Sequence, residues 1–317
     1  MDTLQYCFRK LLYGIPLILG VTLISFVLMV EFGPDKTYEL IDKNATAEQI
    51  AEIRHELGYD KPFLVRYKEF LVQVVTLDFG HSESSREKVS AILSRTIPVT
   101  VALAIPGFLL GNLLGIALAL WAAFHRGSII DKSLMMFAVV GMSVSFVIVI
   151  IVFQAIFCSS IGLNLFPVFG WNVNSFTDYL SYVTVPTMCS VFVALGYNTR
   201  FYRAVFVEEM TRDHVRTARA YGSGVLHILF KSVLKNSLVP IITRIIFTLP
   251  FIIIGGSLLI ESYFGIPGVG QVTYDAISSG DLPILKAVVS LTAILYVLVL
   301  TVVDVLYKMV DPRITIG

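Results

Sequence analysis

Six stretches of the chain run almost without charge: about Leu11–Val30, Ile97–Phe124, Leu134–Phe157, Val183–Phe201, Leu238–Ile260 and Ala287–Val310. Each is at or near the roughly 20 residues a helix needs to cross a bilayer core. None shows the strict alternation of a strand. The pattern predicts an all-α polytopic membrane protein of about six transmembrane helices. The fourth stretch is interrupted by Thr184, Pro186, Thr187 and Asn198, which a membrane helix tolerates where neighbours satisfy the freed carbonyls. The first follows Arg9 and Lys10 and leaves through "VEFGPD" without a small-residue cleavage pattern, so it reads as an uncleaved helix.

Between the spans the periodicity changes. In residues 31–96, "TAEQIAEIRHELG" reads as an amphipathic helix opened by a Thr46–Gln49 capping box and stopped by Gly58, with Ile50, Ile53 and Leu57 on one face. After Pro62, a second apolar stripe joins Phe63, Tyr67, Phe70, Leu71 and Val74. On the second span Gly107, Gly111 and Gly115 recur every fourth position, a flat ridge on which another helix can pack closely. The resulting division is an anchor helix over 1–30, a small helical extracytoplasmic segment over 31–96, a five-helix core over 97–310 and a tail over 311–317. The core holds a cytoplasmic loop at about 202–237.

That loop contains "DHVRTARAYG". Met210, His214, Thr217, Ala218 and Tyr221 fall near one helical face, and Arg212, Arg216 and Arg219 on another. Thr211 or Asp213 is placed to cap the start and Gly222 to stop the end. So short a helix is marginal alone. Its arginines suit anionic lipid headgroups. However, its apolar face is small and alanine-rich, without the Trp, Phe or Leu that an interfacial helix sinks into lipid. Burial against protein is the better expectation.

Composition agrees with the spans: 15% of residues are charged, against about 25% in soluble domains. Arg and Lys collect in alternate short loops. Arg9 and Lys10 precede the first span, Arg126 and Lys132 follow the second, and the 202–237 loop is the most basic. By the positive-inside rule both termini and that loop lie in the cytoplasm. The formal net charge of +1 gives no sign of a nucleic-acid partner. Cys7, Cys158 and Cys189 show neither metal-ligand spacing nor a disulfide framework.

Polar residues inside spans are candidates for function. Arg244 and Asp304 lie near the cytoplasmic ends of the fifth and sixth spans, placed for pairing or for a solute pathway; Asn112 and Gln154 lie deeper and suit helix–helix hydrogen bonds. "FGIPGVGQ" breaks the chain outside the fifth span, where Gly265, Gly268 and Gly270 permit positive φ and Pro267 fixes a turn. No G-x-x-x-x-G-K-[ST], H-E-x-x-H or G-x-S-x-G occurs, so no P-loop ATP site or familiar hydrolase motif is present.

The string "DHVRTARAYG…KNSLVP" resembles the cytoplasmic loop of bacterial ATP-binding-cassette importer permeases, and more narrowly that of the dipeptide/oligopeptide/nickel family. Val215, Arg216, Thr217, Ala218, Arg219, Ala220 and Gly222 match that family's string, with Tyr221 in place of its lysine. "TAEQIAEIRHELGYDKP", "LDFGHS", "ESYFGIPGVGQ" and "VVDVLYKMVDPRI" resemble further family segments in the same order. The resemblance implies the permease fold and a non-catalytic subunit forming half of a translocation pathway for peptides across the bacterial inner membrane. It implies a coupling helix, here Arg212, Asp213, Val215, Arg216, Thr217, Ala218, Arg219, Ala220 and Gly222, that inserts into a separate ATPase. The implied partners are two ATP-binding subunits carrying ATP and Mg, a second homologous permease in a heterodimer, and an extracytoplasmic substrate-binding protein that the 265–270 loop would meet. The same family includes carriers of nickel chelates and antimicrobial peptides. A different class, a secondary transporter coupling ions through Arg244 and Asp304, stays open on the residues alone, although no inverted repeat is visible.

Overall fold

A computed structural model describes residues 3–30, 55, 61–250 and 257–310. The elements among them are helical, apart from one isolated antiparallel bridge between His81 and Lys88. In chain order they are α1 (Thr3–Val30), α2 (Phe63–Thr76), α3 (Val89–Phe124), α4 (Ile129–Ser143), α5 (Phe146–Phe157), α6 (Phe176–Glu209), α7 (Asp213–Ala220) and the single turn α8 (Val225–His227). A π-helical stretch, Ile228–Leu234, follows. Then come α9 (Leu238–Pro250), α10 (Ser257–Phe264), α11 (Val269–Ser279) and α12 (Leu282–Val310). The expected Thr46–Gln49 capping box, the face of Ile50, Ile53 and Leu57, the Gly58 stop and the tail from 311 lie outside the described residues.

Among the described residues four helices are long and apolar enough to cross a membrane: Leu12–Met29 of α1, α3, α6 and Leu282–Val303 of α12. Two bent pairs raise the number to six if each is one span. The run expected as one helix over Leu134–Phe157 is such a pair, α4 and α5 being bent by 101°. Val144 between them is extended at φ −80°, ψ 133°. Hydropathy is blind to this break, because no Pro marks it and apolar residues flank it on both sides. Ser143 Oγ donates to the Val139 carbonyl at 2.8 Å, a back-bond of the kind that bends helices. The fifth run begins earlier than Leu238, as Val225–Leu234 joined to Leu238–Leu249 at 61°. The fourth, in contrast, is unbroken: α6 runs through Pro186 for 34 residues.

The chain clusters into two units. One comprises Met1–Arg95 with Val272–Leu298. Here Phe26 of α1 is buried against Phe63, Tyr67 and Phe70 of α2, with ring centroids 5.5–5.6 Å apart. Tyr67 OH donates to the Leu19 carbonyl at 3.0 Å. Lys286 Nζ stands 5.9 Å from the Phe26 centroid and 5.8 Å from that of Phe70. The connection into α3 is tied down by buried Asp281, whose Oδ2 accepts from Ser82 Oγ at 2.5 Å and from Ser84 N at 3.1 Å.

The other unit comprises Thr96–Gln271 with Val299–Gly317. Its centre is a close crossing of α3 and α6. A Cβ added at Gly107, Gly111 or Gly115 would stand 2.8 Å from the Cβ of Ser190, Ala194 or Asn198 respectively. Two four-residue ridges therefore mesh, and the neighbour of the glycine ridge belongs to the same chain. Gly111→Leu is accordingly expected to lower stability by about 1–3 kcal/mol through overpacking. Thermal unfolding in detergent reads this, with partial recovery when Ala194→Gly is added. A Gly111→Leu protein as stable as the parent would argue against the meshed crossing.

Candidate functional site

Helix α7 starts at Asp213 with Arg212 as its N-cap, extended at φ −72°, ψ 152° and without a side-chain cap bond. Neither Thr211 nor Asp213 caps it, contrary to expectation: Thr211 Oγ1 donates back to the Glu208 carbonyl at 2.7 Å, and Asp213 is already in the first turn. The stop is as expected. Gly222 takes φ +73°, its N–H donates to the Arg219 carbonyl at 2.9 Å, and Ser223 N–H reaches the Ala218 carbonyl at 3.1 Å. These two bonds form a Schellman motif.

One residue anchors the helix. Val215 is fully buried in a cluster with Ala119, Leu120, Tyr202, Phe206, Ile228 and Val233, and Met210 and Ala218 pack beside it. Tyr221 and Thr217, read from spacing as part of the same face, are exposed, Tyr221 at 87%. Tyr221 is the C-cap, past the last helical residue, so helical spacing no longer fixes its direction. Arg216, Arg219, Asp213 and Ala220 face solvent. Polar clamps hold the N-terminal end of the helix. Glu209, nearly buried, pairs with Arg212 Nε at 3.2 Å, and Arg212 Nη2 reaches Glu208 at 3.3 Å. His214 Nε2 lies 3.1 Å from both Glu209 Oε1 and Asn236 Nδ2. Either tautomer thus finds a partner: protonated Nε2 donates to the carboxylate, and bare Nε2 accepts from the amide. In this way α7 is fixed both to the end of α6 and to the chain just after the π-helical stretch.

The intramembrane polar residues separate by surroundings. Asn112 pairs helices: its Oδ1 accepts from Tyr202 OH at 2.6 Å and Asn198 Nδ2 at 3.3 Å, while its Nδ2 donates to the Phe108 carbonyl. Gln154 Nε2 donates to the carbonyls of Val168 and Tyr263, each at 3.2 Å, tying α5 to α10 and to the loop between α5 and α6. Arg244 places its guanidinium 5.0 Å from the Phe201 ring centroid, and its buried Nε has no hydrogen-bond partner among the described residues. Asp304 is on α12, but its side chain lies outside the described residues, as does any pairing with Arg244.

The 264–271 segment is built around a residue the spacing argument passed over. Glu261 is fully buried; its Oε1 accepts from Thr100 Oγ1 at 2.7 Å and its Oε2 from Gln271 N at 3.0 Å. Thr100 Oγ1 also accepts from Val269 N at 2.8 Å. Gly268 sits directly on the Glu261 carboxylate, where a Cβ would collide with it. Gly265 alone of the three glycines takes positive φ, +63°, against the Phe169 ring. Gly268 supplies space rather than an unusual backbone angle, Gly270 lies in the first turn of α11, and Pro267 stands in the turn between α10 and α11.

A second feature missed from sequence is an ion pair between α4 and α6. Arg203 Nε meets Asp131 Oδ1 at 2.5 Å and Nη2 meets Oδ2 at 2.6 Å, with Gly127 N donating to Oδ2 at 2.9 Å. The sequence offered one signal, an acidic residue opening an apolar run, but nothing to select its partner.

Comparisons with known proteins follow the same lines. The family model described as binding-protein-dependent transport system inner membrane component matches residues 111–316, and the model of its N-terminal part matches residues 3–104. A protein of Brucella abortus named as a peptide transport system permease is 32% identical over 311 residues, 96% of this chain and 97% of its own. One of Sinorhizobium fredii named as a peptide ABC transporter permease is 30% identical, over 98% of each chain. The glutathione transport system permease of Salmonella choleraesuis is 31% identical over 98% of this chain and 99% of its own. With the two models together matching nearly every residue and these relatives aligned over almost their whole lengths, the chain belongs to the family of binding-protein-dependent transport system inner membrane components.

Proposed function

We propose that this chain is the membrane-spanning permease subunit of an ATP-driven importer of short peptides, with α7 as the helix through which a separate ATPase drives it. The family is one of transport permeases, so an ATPase and a substrate-binding protein are implied as partners. The peptide class is supported by the names of the relatives, glutathione being itself a short peptide.

The observation that carries the coupling role is the division of α7. Its apolar side is used up by Val215 inside this chain, and its basic side is left in solvent. A helix with no apolar residue to spare has little to sink into lipid. Clamped to α6 through Glu209 and to the following segment through Asn236, it would pass a partner's closure into the bundle as a rigid-body displacement. ATP then acts only by its different affinity for the two states.

In this reading α7 and both termini face the cytoplasm, and residues 31–96 and 265–270 face outward toward a substrate-binding protein. Two ATPase subunits and a second, homologous permease complete the complex. The chain itself carries no catalysis. Arg244 is the best supported pathway residue of the set, since its Nε lacks a hydrogen-bond partner among the described residues. Asn112 and Gln154 are engaged in joining helices. Reconstitution in vesicles tests the whole reading. Peptide uptake is expected to be absent for the chain alone and to become ATP-dependent once permease, ATPase and binding-protein partners are added. Uptake by the lone chain driven by an ion gradient would overturn it in favour of a secondary transporter.

A further inference from the structure

The connection between α5 and α6, residues 158–175, exposes large apolar side chains beside uncharged polar ones, Ser160, Asn164, Asn172, Asn174 and Ser175. Ile161 is 97% exposed, and Leu163, Leu165, Val168 and Phe169 are each more than half exposed, as is Phe176 at the start of α6. No Asp, Glu, Lys, Arg or His occurs anywhere from residue 133 to residue 177. The connection into α3 differs sharply: residues 77–88 contain Asp78, Glu83, Arg86, Glu87 and Lys88. A loop meant for water has that second composition.

The apolar connection is also built rather than slack. Leu163 N donates to the Ile156 carbonyl at 2.7 Å, Leu165 N to the Phe157 carbonyl at 2.9 Å, and Gly170 N to the Phe264 carbonyl at 2.8 Å. Gln154 holds the Val168 carbonyl. The chain thus turns back on the end of α5 with part of its backbone satisfied internally, as burial away from water requires. Beside it stand Trp171, Tyr179 and Tyr182, with Trp171 6.3 Å from Tyr179 and 6.2 Å from Tyr182. Trp and Tyr gather at the headgroup level of membranes. Helix α6, at 34 residues, is about 51 Å long, more than the ~30 Å of a hydrocarbon core. With α6 crossing the membrane, this connection and α7, at its two ends, belong to opposite sides of the bilayer.

We infer that residues 158–176 form a wedge lying in the lipid headgroup and upper acyl region on the side opposite α7, with Ile161, Leu163, Leu165 and Phe169 immersed and the Trp171 cluster at the boundary. The occupant of the exposed apolar surface is lipid, not a protein. Absence of every charge across the connection favours it, since the rim of a protein interface is polar and solvated, whereas exposed large apolar side chains with uncharged Asn164, Asn172 and Asn174 among them suit the boundary between acyl chains and headgroups. The inference depends on α6 crossing the membrane and not on which solute is carried.

Tryptophan quenching tests it. Trp121→Phe and Trp171→Phe remove both native tryptophans, and Ile161→Trp, at a position with almost no protein contact, supplies the probe. Leu165→Trp is a second probe in case the first disturbs folding. The chain, alone and assembled with Trp-free partner subunits, is placed in nanodiscs of phosphatidylethanolamine and phosphatidylglycerol brominated either near the carbonyl end or near the tip of the acyl chains. Strong quenching is expected from bromine near the carbonyl end, several-fold weaker quenching from bromine at the tip, and little from acrylamide in water. Strong acrylamide quenching without bromine quenching would place the loop in water and overturn the inference. So would a probe shielded from all three, which would mean that protein covers it.

Discussion

Arg203→Met is expected to cost about 3–5 kcal/mol of stability, because it strips the partner from a buried carboxylate. Asp131 has a side chain only 4% exposed and receives both guanidinium nitrogens, Nε at 2.5 Å and Nη2 at 2.6 Å. Two parallel charge-assisted bonds in fixed geometry are the strong form of this interaction. What remains after the substitution is a buried carboxylate held, among the described residues, by the Gly127 N–H at 2.9 Å. Thermal unfolding in detergent should show a large fall for Arg203→Met and for Asp131→Leu singly. The double change should recover much of the loss, since replacing both members of a buried pair by apolar groups is often near neutral. The cycle isolates the pair. Additive losses would mean that the two side chains act separately and that α4 is held to α6 by packing alone. The pair has a mechanical role too: α4 is one arm of the bent pair and α6 leads directly into α7, so it links the bend to the segment proposed to receive the ATPase.

How far this was legible in advance depends on whether the cause is local. Helix stops are local: Gly222 ends α7 through bonds spanning six residues or fewer, and a glycine after an alanine-rich helix announces it. The glycine ridge was legible as a packing face, but its partners Ser190, Ala194 and Asn198 were not, because no periodicity links residues more than eighty positions apart. The α4–α5 bend was hidden because two serines, Ser143 and Ser145, are too few to interrupt an apolar run, and hydropathy reports content, not direction. Glu261 was visible only as a letter in a motif. Its reason for being there, a buried carboxylate that collects Thr100 Oγ1 and a backbone N–H while Gly268 makes room, exists only in three dimensions. Arg203 illustrates the same limit. Counted as a basic residue it supports a topology, yet its guanidinium is committed to Asp131 and little of it is left for a lipid headgroup.

Reversing the two outward arginines, Arg216→Glu with Arg219→Glu, is expected to abolish association with the ATPase partner while leaving membrane insertion intact. Arg216 is 72% exposed and its pairing with Asp213 is loose, 3.5 Å between groups that both stand in water. Such a pair contributes little to folding, so both arginines are free to engage a partner. Arg212 is not comparable, being held by Glu208 and Glu209, and its loss would confound docking with the seating of α7. Reversal at a complementary interface replaces attraction by like-charge repulsion of several kcal/mol, and even ~3 kcal/mol is more than a hundredfold in affinity. Folding should suffer far less. Val215 and the Gly222 stop are untouched, and the main penalty is an acidic residue in the last turn at position 219, about 0.3–1 kcal/mol against the helix dipole. Arg216→Gln with Arg219→Gln separates the two effects, since it removes attraction without adding repulsion and should weaken binding by a smaller factor. Binding of the unaltered chain should also weaken as salt rises, because exposed charges are screened within about 8 Å at physiological ionic strength. Co-purification and a salt titration with the purified ATPase read all three. Wild-type affinity in the double Glu variant would count against α7 in the coupling role, since Arg216 and Arg219 are the cationic side chains that this helix leaves in solvent without an acidic clamp.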